Sequence, residues 1–142
     1  MKISEVMTRD VATVSSNQTV QEAASFMLQG DAGSIPVTEG DRLIGMITDR
    51  DIAVRGVAKG RGPDTPVSEL MSEGLICARL DDDIEEVARK MGEAQVRRLP
   101  VIDESEKLVG IVSLGDLSRK SDGEEAHQAL EGVSQPSGQH QQ

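Results

Sequence analysis

Apolar positions along the chain fall into short runs separated by turn formers, and the same succession of runs occurs twice. Brief apolar stretches at 11–14 and 75–78 open the two halves. A helix signal follows each: Thr19 with Glu22, and Asp83 with Glu86, have the N-cap and third-position spacing of a capping box. Behind them Val20, Ala23, Ala24, Met27 and Leu28 recur at helical spacing, as do Ile84, Val87, Ala88 and Met91. Two β-type runs come next in each half, 35–38 with 43–48 and 99–102 with 108–113. Glu39-Gly40-Asp41-Arg42 and the longer 103–107 segment read as their turns. A last helix is predicted near 49–55 and again over 114–120. The predicted order is β-α-β-β-α, twice, an α/β (α+β) fold built from a tandem repeat.

Residue matches support the duplication. Ser4-Glu5-Val6-Met7-Thr8 returns as Ser68-Glu69-Leu70-Met71-Ser72, an offset of 64. Val20, Glu22, Ala24, Met27 and Pro36-Val37 meet Ile84, Glu86, Ala88, Met91 and Pro100-Val101 at that same offset. Past the longer second turn, Leu43, Gly45, Thr48 and Asp51 meet Leu108, Gly110, Ser113 and Asp116 at an offset of 65. Matches in one order at nearly one spacing mark a repeat architecture. The expected organisation is a first motif at 1–56, a linker at 57–66 rich in Gly and Pro, a second motif at 67–120, and a tail at 121–142. The tail is acidic and Gln-rich with few large apolar residues, a composition that predicts disorder.

Composition narrows the function. Of 142 residues, 15 are Lys or Arg and 25 are Asp or Glu, a net charge of −10 that disfavours a nucleic-acid backbone or an anionic membrane as partner. One Phe, no Tyr and no Trp leave no aromatic platform for stacking bases. No apolar run approaches the ~20 residues of a membrane helix, and the first residues hold no signal-peptide stretch. A single cysteine, Cys77, suits a reducing compartment, so the expected location is the cytoplasm.

Catalytic chemistry finds little material. Both histidines, His127 and His140, fall in the tail, which leaves the body without imidazole for base, triad or metal work. Cys77 has no Cys or His partner there and reads as a small core residue. Asp81-Asp82-Asp83 reads as a solvated turn before a helix, with a cation site as the alternative. No metal and no enzymatic activity are expected. What remains is the pair Thr48-Asp49-Arg50-Asp51 and Ser113-Leu114-Gly115-Asp116, each after an apolar strand and before an apolar helix. Such a turn can be a helix cap, or it can offer a hydroxyl and a carboxylate to the hydroxyls of a ribose. The two roles are compatible if the hydroxyl caps while the carboxylate looks outward.

The duplicated order, with Gly33-Ser34-Ile35-Pro36-Val37, Arg97-Arg98-Leu99-Pro100-Val101-Ile102, Gly45-Met46-Ile47-Thr48-x-x-Asp51 and Gly110-Ile111-Val112-Ser113-x-x-Asp116, resembles the cystathionine-β-synthase (CBS) domain family over about residues 1–120. Two such motifs resemble one Bateman module. The resemblance implies two motifs packed sheet to sheet about a pseudo-twofold axis, with two adenosine-nucleotide sites in the cleft between them. It implies one site with Thr48 and Asp51 on ribose, Met46, Leu75, Ile76 and Val96 around adenine, and Arg50, Arg97 and Arg98 on phosphate. It implies another with Ser113 and Asp116 on ribose, Val11, Ala12, Ala32 and Ile111 around adenine, and Gly33, Ser34 and Gly115 on the phosphate side. Guanidinium forks bind phosphate bidentately, so the first site is the expected stronger one.

The function expected on this basis is a stand-alone regulatory module that binds AMP, ADP or ATP and signals through an unknown protein partner or its own homodimer, a disc of four motifs. NAD or S-adenosylmethionine are alternative ligands. A ligand-free structural or interaction protein is the rival class.

Overall fold

The computed structural model describes residues 1–120, so the predicted tail, with His127 and His140, lies outside the described residues. Within the described residues the chain forms two compact units. The first is Ala12–Leu75; the second joins Met1–Val11 to the residues from Ile76 onward.

In the first unit, β1 (Val14–Ser15) pairs in parallel with β2 (Ser34–Glu39), which pairs antiparallel with β3 (Arg42–Thr48). Helix α1 (Val20–Gly30) crosses between β1 and β2. The second unit repeats the pattern with β4 (Ala78–Arg79), α2 (Ile84–Ala94), β5 (Arg98–Ile102) and β6 (Leu108–Ser113), and adds α3 (Leu114–Lys120). The mixed α/β class and the tandem repeat are those expected from the sequence. Thr19 caps α1 by accepting from the Glu22 amide at 3.2 Å, whereas Asp83 caps α2 without a side-chain bond. The Glu22 carboxylate accepts from Gln18 Nε2 at 2.8 Å, so at neither helix is the second half of the expected box seen.

Apolar spacing locates the cores. In the second unit Ile84, Val87, Ala88 and Met91 are all buried against Leu99, Val101 and Val112. In the first, Val20, Ala23 and Met27 are buried with Val37 and Ile47, while Ala24 is exposed and Leu28 is 84% exposed. The expected helix near 49–55 is a π-helical segment, Asp51–Gly56, followed by a 3-10 turn at Val57–Lys59. The longer second hairpin is explained by Asp103, whose Oδ1 accepts from the amides of Ser105 and Lys107 at 2.9 and 3.0 Å and absorbs the added residue.

Compact units and sequence repeats divide the chain differently, because the short arms that begin the repeats are exchanged. The arm through Met7 and Thr8 lies on β6: Thr8 donates to the Ile111 carbonyl at 2.8 Å and Ile111 donates back at 2.9 Å. The arm through Met71 and Ser72 lies on β3, with Met46 and Ser72 exchanging bonds of 3.0 and 2.8 Å. Farther back, Met1 and Thr65 offer carbonyls to the first amides of α2 and α1, at Ile84 and Val20. Gly110 and Gly45 make the docking possible. A Cβ at 110 would sit 2.7 Å from the Met7 sulfur and 2.8 Å from the Thr8 oxygen. A Cβ at 45 would sit 2.8 Å from both the Met71 sulfur and the Ser72 oxygen.

Candidate ligand site at the Ser/Thr-x-x-Asp turns

Each sheet ends in a polar turn placed by the strand before it. At the end of β3, Thr48 donates its amide to Asp51 Oδ2 at 3.0 Å, and the Asp51 amide donates to Thr48 Oγ1 at 3.0 Å. At the end of β6, Ser113 donates to Asp116 Oδ2 at 2.9 Å, and the Asp116 amide donates to Ser113 Oγ at 3.2 Å. Both are reciprocal capping boxes. The carboxylates therefore turn back on the cap with one oxygen rather than looking wholly outward. Asp51 and Asp116 are 4% and 5% exposed, a degree of burial that a carboxylate tolerates only with its oxygens bonded.

The other oxygen of each meets an arginine on the following turn. Arg55 Nη1 stands 3.8 Å from Asp51 Oδ1 and donates to the Met71 carbonyl at 3.3 Å. Arg119 Nη2 bonds Asp116 Oδ1. Sequence reading did not single out either arginine, although spacings of four and three residues from a helical Asp are the ones that bring side chains together.

The segments before Pro36 and Pro100 join the turn of their own unit. Ser34 lies opposite Thr48 in register, and the Gly33 carbonyl accepts from Asp49 at 2.9 Å. Arg98 lies opposite Ser113, and the Arg97 carbonyl accepts from Leu114 at 3.1 Å. The first unit thus gathers Thr48, Arg50 and Asp51 with Ala32, Gly33 and Ser34, and the second gathers Ser113, Gly115 and Asp116 with Val96, Arg97 and Arg98. Met46 and Val96 are buried, Ala32 and Ile111 half-buried. The division between units falls at Val11/Ala12 and at Leu75/Ile76, so those four expected adenine neighbours lie at unit ends.

Residue matches and fold now have counterparts among known proteins. The CBS domain family model matches residues 3–56 and again 67–123. The chain belongs to the CBS-domain family. The chain is 49% identical, over 133 residues, to the CBS domain-containing protein YhcV of Bacillus subtilis, covering 93% of this chain and 94% of that one. Hypoxic response protein 1 of Mycobacterium tuberculosis is 39% identical over 81% of each chain. The crystal structure of Hypoxic Response Protein I with two coordinated zinc ions superposes at a TM-score of 0.77 with 38% identity, over 84% of this chain and 98% of that one. CBSX2 in complex with AMP does so at 0.74 and 25% identity, over 83% and 93% of the two chains. The CBS pair of MJ0100, in complex with 5′-methylthioadenosine and S-adenosylmethionine, does so at 0.73 and 28%, over 84% and 94%.

Other features of this CBS pair bear on chemistry. Among the described residues no cluster of three His, Cys, Asp or Glu side chains is placed to hold a metal ion. Asp82 of the acidic run accepts from the Arg79 amide at 2.9 Å and from Lys90 Nζ at 3.3 Å. No helix of the described residues is long and apolar enough to cross a membrane. Burial pushes the Cys77 thiol up, against smaller opposing pulls from Arg79 and Lys90. Only the thiolate is nucleophilic, so alkylation of native protein at pH 8 should run several-fold slower than of urea-unfolded protein. Because the folded thiol binds its proton more tightly than the unfolded one, its share of stability should fall as pH rises past the ordinary thiol range. Equal native and unfolded labelling rates would contradict the burial.

Proposed function

We propose that this CBS pair is a regulatory module that binds an adenosine nucleotide, AMP, ADP or ATP, and passes the event to a protein partner or a second copy of itself. The observation that carries the reading is the duplicated buried couple, Thr48 with Asp51 and Ser113 with Asp116. Each presents one carboxylate oxygen beyond the cap, and ribose hydroxyls donate to such an acceptor. AMP, 5′-methylthioadenosine and S-adenosylmethionine, the ligands of CBSX2 and MJ0100, share adenine and the ribose ring with its 2′- and 3′-hydroxyls, which supports recognition through that part. Charge then selects the 5′ substituent: Arg97, exposed, and Arg98, half-buried, are forks suited to phosphate on an otherwise acidic chain. A ligand that prefers one arrangement of the module shifts its population, which is the signal. Self-association, as a homodimer, is supported by Phe26 and Leu28, large apolar side chains exposed on α1.

Calorimetry with AMP and adenosine tests the charge selection. Arg98→Ala should weaken AMP about tenfold to a hundredfold, the worth of a charged hydrogen bond, and leave adenosine nearly unchanged. Equal losses for the two ligands would make Arg98 a packing residue and overturn its phosphate role.

A further inference from the structure

The two repeats distribute arginine differently around the Ser/Thr-x-x-Asp turn. Two residues past Thr48 stands Arg50, and six past it Val54; the matching positions after Ser113 hold Gly115 and Arg119. The second repeat has moved its arginine one helical turn along.

In space the displacement is undone. Helical side chains lean toward the N-terminus, so a long side chain covers the turn before its own. The Arg119 guanidinium reaches back along α3, with Nη2 2.5 Å from Asp116 Oδ1. Its Nη1 lies 3.4 Å from where a Cβ on Gly115 would stand, and that same Cβ position is 3.6 Å from Ser113 Oγ. A guanidinium thus fills the room over residue 115, where the other repeat begins an arginine of its own.

Arg55, the other arginine on a ribose carboxylate, is placed differently. It is committed to the Met71 carbonyl of the arm, and its side chain is 46% exposed. The Arg119 side chain is 67% exposed and reaches its carboxylate with one nitrogen. A guanidinium has five N–H donors in one plane, so most of this fork faces outward.

We infer that Arg119 binds the 5′-phosphate of a nucleotide whose ribose sits on Ser113 and Asp116, the part Arg50 takes at Thr48 and Asp51. The inference rests on the nucleotide reading above and alters one consequence of it. The Thr48–Asp51 turn is then not favoured over the other, because each Ser/Thr-x-x-Asp turn carries a guanidinium on the segment that follows it, Arg50 at one and Arg119 at the other. Ribose hydroxyls donate to the Oδ1 that Arg119 now holds, and the phosphate, one sugar ring away, takes the fork bidentately. The ligand chemistry that fits is a nucleoside 5′-phosphate in preference to an uncharged nucleoside.

Amide NMR titration of the full chain with AMP and with adenosine reads the two turns separately, through Gly115 and Asp116 for one and Arg50 and Asp51 for the other. Arg119→Gln should weaken AMP at Gly115 and Asp116 by about tenfold or more, with adenosine there and AMP at Arg50 and Asp51 changed less than about twofold. Arg119→Lys, which keeps the charge but not the fork, should recover part of the loss. AMP and adenosine weakening together at Gly115 would make Arg119 a holder of the carboxylate and overturn its phosphate role, as would unchanged AMP binding. Parent protein that shows no shift at either turn with either ligand would overturn the nucleotide reading itself, a separate outcome.

Discussion

Gly110→Val should be among the most destabilising single substitutions in the protein, at or beyond the upper end of the ~1–3 kcal/mol typical of overpacking. A Cβ at 110 would lie 2.7 Å from Met7 Sδ and 2.8 Å from the Thr8 carbonyl oxygen. The sulfur can swing away. The carbonyl cannot, because it accepts from Ile111 in the pair of bonds that fixes the arm to β6. The clash with that oxygen is at the Cβ itself, so no choice of χ1 relieves it, and the branched side chain of valine adds further bulk. The loss reaches the core, since the arm also buries Ile3 and Val6 among the side chains of the second unit. Gly45→Val should do the same to the first unit through Met71 and Ser72, and its arm buries Val67 and Leu70. Gly30→Ala is the control: nothing lies within 4 Å of the added carbon, and ending the helix with alanine should add up to about 1 kcal/mol. Urea unfolding checks all three. Parent-like midpoints for Gly110→Val and Gly45→Val would mean that the arms do not dock on these strands.

Those glycines also show how far the sequence could be read. Gly45 and Gly110 stand out as repeat partners, and so do the Met7 and Met71 arms, but nothing in the spacing says which arm meets which glycine. The two surfaces are alike, and only the path of the chain decides. Strand β6 falls where the short apolar run at 108–113, bounded by turn residues, places it. Helical spacing was less informative at α1: it groups Ala24 and Leu28 with the core residues, yet both are exposed. Periodicity finds an apolar face without saying what covers its edges. The segment after Asp51 looks α-helical in sequence and winds as a π-helix, a difference of hydrogen-bond register that residue types do not carry. At the turns, Thr48-x-x-Asp51 and Ser113-x-x-Asp116 were legible as both cap and acceptor. Arg55 and Arg119 were not, since charged residues at helical spacing are common on any solvated face.

The second large effect concerns the carboxylates. Asn in place of Asp51 or Asp116 keeps an oxygen for the capping amide but gives up the charge that ribose hydroxyls and the neighbouring arginine meet. Each single change should weaken nucleotide at its own site about tenfold to a hundredfold, the ~1.5–3 kcal/mol of a charged hydrogen bond. The changes should act independently, because each couple bonds to itself and to an arginine of its own unit, Arg55 for one and Arg119 for the other. Cap loss has its own signature: a lowered melting temperature without ligand, and AMP and adenosine still bound by the folded fraction.

Equilibrium dialysis of the full chain against labelled AMP, parent beside the Asp51→Asn/Asp116→Asn double variant, tests the nucleotide reading most directly. The parent should bind saturably and a double variant that remains folded should lose that binding; a parent that retains no AMP, or a folded double variant that binds it as tightly as the parent, would contradict the nucleotide site.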